Sequence, residues 1–131
     1  MRRDEGLLDM KVRGYRDLTV WQKAMDLVVE SYRLVRLLPP SESFGLISQI
    51  RRAVVSIPAN IAEGQGRDHL GDYIHHLSVA KGSLVELETH FLICERLKFL
   101  KPSDVQLLLS STDEIGRMLS GLSKKLQDIQ T

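Results

Sequence analysis

The side chains able to do chemistry in this sequence are four histidines, one cysteine and a run of polar residues near the middle of the chain. His69, His75, His76 and His90 invite a metal or nuclease reading, so their spacing decides. A di-iron site inside a helical bundle needs inward-facing Glu-x-x-His pairs. Here Glu86 is followed three positions on by Thr89, and Glu88 lies two positions from His90. The Arg-then-His spacing of four-helical ribonucleases is missed as well, because Arg67 precedes His69 and His75 at other distances. Gly64-Gln65-Gly66 lacks the Lys-Ser or Lys-Thr of a phosphate loop, and no Gly-x-Ser-x-Gly is present for a nucleophile elbow. The single Cys94 cannot form an internal disulfide and falls in an apolar stripe, where it reads as a small core residue. The expectation is a non-enzyme with no metal, no cofactor and no small-molecule substrate.

A polar band is the more informative feature. Gln49, Arg52, Ser56, Asn60, Glu63 and Arg67 fall within about 80° of one another on a helix turning about 100° per residue. The band lies roughly a quarter-turn from the apolar stripe of the same segment, so its members sit beside a core rather than opposite it. Asn60 and Glu63 then need partners, since burying an unpaired amide or carboxylate costs several kcal/mol. With Arg51 added, these residues are a candidate recognition or subunit-contact surface in which Arg51, Arg52 and Arg67 reach phosphates or carboxylates. A purely structural use fits better: Glu63 and Arg67 pair at i, i+4, while Ser56 and Asn60 satisfy backbone near Pro58.

Four helices must position these groups. Thr19 and Gln22 form a capping-box pattern before the stripe Val20, Ala24, Leu27, Ser31, Leu34, Leu38, which Pro39-Pro40 ends. Ser41 or Ser43 can cap a second helix with Leu46, Ile50, Ala53, Ile57 and Ile61 in its stripe, kinked or broken at Pro58 and stopped at Gly64 to Gly66. Asp68 can cap the third, where Leu70 to Cys94 alternate by three and four. Ser103 and Gln106 suggest a second capping box before a nearly unbroken register from Val105 to Ile129. Short Pro- and Gly-marked turns favour an all-α, antiparallel, up-down-up-down four-helix bundle over residues 17–131, preceded by a flexible arm over residues 1–16. Leu107, Leu108 and Leu109 in a row, with Met118 outside the stripe, give the fourth helix more apolar surface than one core needs, and self-association would use it.

The 131 residues suit one domain, with 43% hydrophobic, 27% charged and 5% aromatic side chains. Eighteen Lys and Arg against seventeen Asp and Glu leave a net charge of +1, which gives no composition-level sign of nucleic-acid binding. Residues 1–67 carry a net +3, pointing any anionic partner toward that half. No secretory h-region follows the N-terminal arginines and no run is long and apolar enough for a membrane span, so a cytoplasmic location is expected.

Three strings carry a family resemblance: YRDLTVWQKAMDL at 15–27, FGLISQIRRAVVSIPANIAEGQGR at 44–67 and LSVAKGSLVELETH at 77–90. They resemble the 23S rRNA intervening-sequence protein family, also called four helix bundle proteins, some of which are encoded within insertions of large-subunit rRNA genes. The resemblance covers about residues 15–125. It implies a four-helix protomer that assembles into a homopentameric ring without catalytic activity, with Trp21, Gln22, Arg51, Arg52, Asn60, Glu63 and Gly64 as motif residues. It extends distantly to the accessory variability determinant of diversity-generating retroelements, a similar pentamer that binds nucleic acid through a strongly basic surface, from which this near-neutral chain departs. Two functions are therefore expected. One is a homo-oligomer that associates with rRNA or other nucleic acid through Arg51, Arg52, Arg67 and basic residues of the arm such as Arg2, Arg3, Lys11, Arg13 and Arg16; the other is a scaffold that binds a protein partner.

Overall fold

The computed structural model describes residues 14–130, and among them four helices form a bundle: α1 (Thr19–Val35), α2 (Leu46–Gln65), α3 (Leu70–Arg96) and α4 (Pro102–Gln130). Short 3-10 turns at Tyr15–Asp17 and Pro40–Glu42 precede α1 and α2. Of the arm expected over residues 1–16, residues 1–13 lie outside the described residues. Each helix packs chiefly on its sequence neighbours, and α1 also packs on α4, so α1 and α3 stand at diagonal corners of a square.

The four expected stripes are the core. Ala24, Leu34, Ile50, Ile57, Ile61, Tyr73, Leu77, Leu87, Phe91 and Leu119 are fully buried, and stripe positions nearer the helix ends, such as Leu46, Leu70 and Ile129, are partly buried against them. Aliphatic side chains spaced by three and four residues give each helix one face that gains by leaving water, at roughly 25 cal/mol per Å² of apolar surface removed. No helix among the described residues is long and apolar enough to cross a membrane.

The helix ends differ from the sequence expectation. Leu18, not Thr19, is the N-cap of α1, because the preceding 3-10 turn advances the helix start; the Gln22 amide instead donates to the Arg16 carbonyl at 2.9 Å. Gly45 is the N-cap of α2, with Glu42 Oε1 accepting from the Leu46 N–H at 3.3 Å, while Ser43 Oγ turns back to the Pro40 carbonyl. His69 replaces Asp68 as the N-cap of α3. Helix α4 starts at Pro102, whose missing N–H is no loss at a first position, so Ser103 already lies inside the first turn. At the end of α3 the Phe99 N–H bonds the Cys94 carbonyl and the Lys98 N–H bonds that of Glu95, a Schellman closure. Lys98 takes the left-handed conformation there (φ 63°), a place glycine usually fills.

Pro58 does not split α2, which runs continuously from Leu46 to Gln65. An interior proline costs about 3 kcal/mol and leaves the Val54 carbonyl without its helical donor. Buried Ile50, Ala53, Val54 and Ile57 on one side and Ile61 on the other hold both halves in the same core. Gly64, read from sequence as a loop glycine, lies inside this helix at its closest approach to α3. A β-carbon there would meet His76 Cβ at 2.8 Å and Tyr73 Cδ1 at 3.1 Å. Gly64→Ala should therefore lower the unfolding free energy by roughly 1–3 kcal/mol in urea titrations, as overpacking does. Gly121→Ala on α4, where nothing lies within 4 Å of the added carbon, should instead be neutral or raise it by up to about 1 kcal/mol.

Candidate functional site

The half-buried members of the polar band meet α3 in one hydrogen-bonded seam. Asn60 Nδ2 donates to the Ser56 carbonyl (2.9 Å) and to Ser56 Oγ (3.0 Å). Because a carbonyl only accepts, the amide is oriented with Oδ1 toward His76, whose Nδ1 lies 3.0 Å away. His76 Nδ1 must then carry a hydrogen. Ser56 Oγ, accepting from Asn60, also shares a hydrogen bond with Ser83 Oγ at 2.9 Å across the helix pair, in which either hydroxyl can donate. The Asn60 amide and both seam hydroxyls are hydrogen-bonded at this crossing, so the desolvation cost of a half-buried amide is met within the protein. The Glu63 carboxylate, with its side chain 61% exposed, stands 3.7 Å from His76 Nδ1 at the rim.

The remaining band residues are not gathered with these. Gln49, Arg52 and Arg67 lie exposed on the surface. Arg67 falls beyond the last residue of α2, so the i, i+4 geometry expected with Glu63 is lost, and no ion pair joins them. Arg51 points the other way, its guanidinium 5.3 Å from the Tyr32 ring centroid on α1. His76 and Ser83, which complete the seam, were not singled out in sequence. Their seven-residue spacing on α3, set against Ser56 and Asn60 on α2, is the signal that finds them.

None of this assembles an activated nucleophile. The two seam hydroxyls are committed to each other, and His76 Nδ1 is committed to Asn60. Burial pushes the Cys94 thiol up to about 11 and the Tyr73 phenol up to about 12, so both stay neutral at physiological pH. His90 is buried with Nε2 3.5 Å from Glu86 Oε1. Among the described residues no group of three or more His, Cys, Asp and Glu could hold a metal ion.

The outer surface carries the other candidate feature. On α4 the expected apolar surplus shrinks to Leu107, since Leu109 and Met118 pack against the core. The exposed aliphatic side chains lie mainly elsewhere, at Met25 and Val29 on α1 and at Val79, Val85, Leu92 and Ile93 on α3. Helix α3 thus carries exposed aliphatic side chains outside its core face, set among the exposed polar and charged residues Asp72, Lys81, Glu86 and Arg96.

The sequence matches the 23S rRNA-intervening sequence protein family over residues 16–121. Among solved structures, a protein of unknown function from the S23 ribosomal protein family of Bacteroides thetaiotaomicron VPI-5482 has the same fold, with a TM-score of 0.73 at 23% identity. The alignment covers 81% of this chain and 99% of that one. No curated protein matches the sequence.

The seam and the exposed band residues should separate on mutation. Asn60→Leu, which strands the His76 N–H and the Ser56 groups, is expected to lower unfolding free energy by about 1–3 kcal/mol. Gln49→Ala and Arg52→Ala should each stay within about 0.5 kcal/mol, measured by chemical denaturation.

Proposed function

The chain belongs to the 23S rRNA-intervening sequence protein family, and we propose that its role there is non-catalytic: an up-down-up-down four-helix bundle that assembles with copies of itself into a scaffold. The inverse order of the cross-helix contacts supports the alternating direction, Ser56 with Ser83 and Asn60 with His76 between α2 and α3, and Leu84 with Gly116 and Glu88 with Thr112 between α3 and α4. The exposed Val79, Val85, Leu92 and Ile93 of α3 support the assembly reading. Four exposed aliphatic side chains on one helix are costly to leave wet, and a second protein surface removes them from water. On this reading the ring holds five copies, the number the family resemblance implies.

Sedimentation equilibrium tests this. The expected mass is a fixed multiple of the 14.9 kDa protomer that holds over a broad concentration range. A mass of one protomer throughout would end the assembly reading.

Contact with RNA is a second reading, favoured by the family's description and by the Arg51 guanidinium held over the Tyr32 ring beside exposed Arg52. A planar cation fixed on an aromatic face suits phosphate and base stacking together. Fluorescence anisotropy with rRNA fragments should show affinity falling as salt rises, and Arg51→Ala should lower the magnitude of the log-log salt slope by about 1. Absence of binding in dilute salt removes the RNA reading and leaves the scaffold untouched.

A further inference from the structure

One end of the bundle differs from the rest of its surface. Arg33 in the last turn of α1, hydrogen-bonded to Glu30, also feels the charge of Asp104 in the first turn of α4. The Cys94 thiol near the end of α3, raised first by burial, also feels Glu42 of the α1–α2 connection. Residues 36–45 and 97–101 therefore meet at this end. The turn before α2 is braced from inside: the Gly45 N–H donates to the Glu42 carbonyl at 3.0 Å and Ser43 Oγ to the Pro40 carbonyl at 2.7 Å. That leaves Phe44 outside, 99% exposed. Leu37 in the same connection and Leu97 after α3 are 57% and 53% exposed. Over residues 36–45 and 95–104 the exposed charges are Arg36, Arg96, Lys98 and Lys101, all cations. The acids there, Glu42, Glu95 and Asp104, are half-buried, and Glu42 accepts from the Leu46 N–H. The α2–α3 connection at the other end has no aliphatic side chain and exposes Arg67 beside Asp68.

We infer that this end docks on a membrane surface bearing anionic phospholipids. An aromatic and two aliphatic side chains on the outside of two connections make a projection, not a groove, and a projecting apolar side chain can leave water in the boundary layer of a bilayer. Long basic side chains suit the same layer, since their stems lie along apolar surface while their charged ends reach phosphate. Such binding grows with the apolar area buried and with the attraction to anionic lipid. A carboxylate exposed among them would be repelled, and here the carboxylates are drawn inward. The contact is peripheral, because no helix among the described residues is long and apolar enough to cross a membrane. It uses neither the outer side chains of α3 nor Arg51, so its failure would leave the assembly and RNA readings as they stand.

Flotation with unilamellar vesicles tests the docking. In dilute salt the protein should rise with vesicles of equal parts phosphatidylcholine and phosphatidylglycerol and stay behind with phosphatidylcholine alone, and added salt should weaken the binding by screening. Phe44→Ser should lower the partition coefficient on the order of tenfold, and Lys98→Gln and Lys101→Gln roughly fivefold each. All three positions are exposed, so circular dichroism should show the wild-type helix content. In Phe44→Trp, emission should shift to the blue on the anionic vesicles, a shift absent from the wild type with its single Trp21. A protein that stays behind with anionic vesicles in dilute salt, or that floats equally well as Phe44→Ser, overturns the inference. So does binding to a polyglutamate peptide without flotation, which would give this end an acidic protein partner instead.

Discussion

Everything in this bundle depends on how closely α2 approaches α3. Gly64 permits the approach, because any larger residue would drive a carbon into His76 and Tyr73. The same closeness brings Asn60 within reach of His76 and Ser56 within reach of Ser83. Shape and polarity thus fix one register together. An aliphatic interface alone tolerates sliding by a turn, whereas a slid seam would leave an amide and an imidazole without partners at a cost of about 1–3 kcal/mol each.

That constraint decides where function can lie. Ser56, Asn60 and Ser83 are consumed in holding α2 and α3 together, which leaves them unfit as a binding or reacting surface. The outward surface mixes aliphatic side chains on α1 and α3 with charged residues, among them exposed arginines of which Arg51 lies over the Tyr32 ring. Exposed aliphatic side chains on two helices suit a protein that is part of something larger.

The helices were legible because stripes such as Val20 to Leu38 or Leu70 to Cys94 repeat with the helical period, and burial follows that repeat. Capping was not legible, since several hydroxyls lie near every helix start and the connecting 3-10 turns choose among them; Gln22 reaches Arg16 and Glu42 serves Leu46 for that reason. The band on α2 was half legible. Ser56 and Asn60 are where the period places them, but a band has two sides, and its α3 side could not be seen until the register was known. Gly64 was misread because a glycine beside Gly66 looks like a turn, whereas close packing asks for the same residue. The apolar surplus was placed on the wrong helix, as Leu109 and Met118 reach the core by widening the stripe of α4.

The central claim is that Asn60 and His76 act as one structural unit joining α2 to α3. A double-mutant cycle between Asn60→Ala and His76→Ala, read by urea unfolding at fixed protein concentration, measures it directly. A coupling of roughly 1 kcal/mol or more is expected for side chains in direct hydrogen-bonded contact. Losses that simply add, within about 0.3–0.5 kcal/mol, would contradict it.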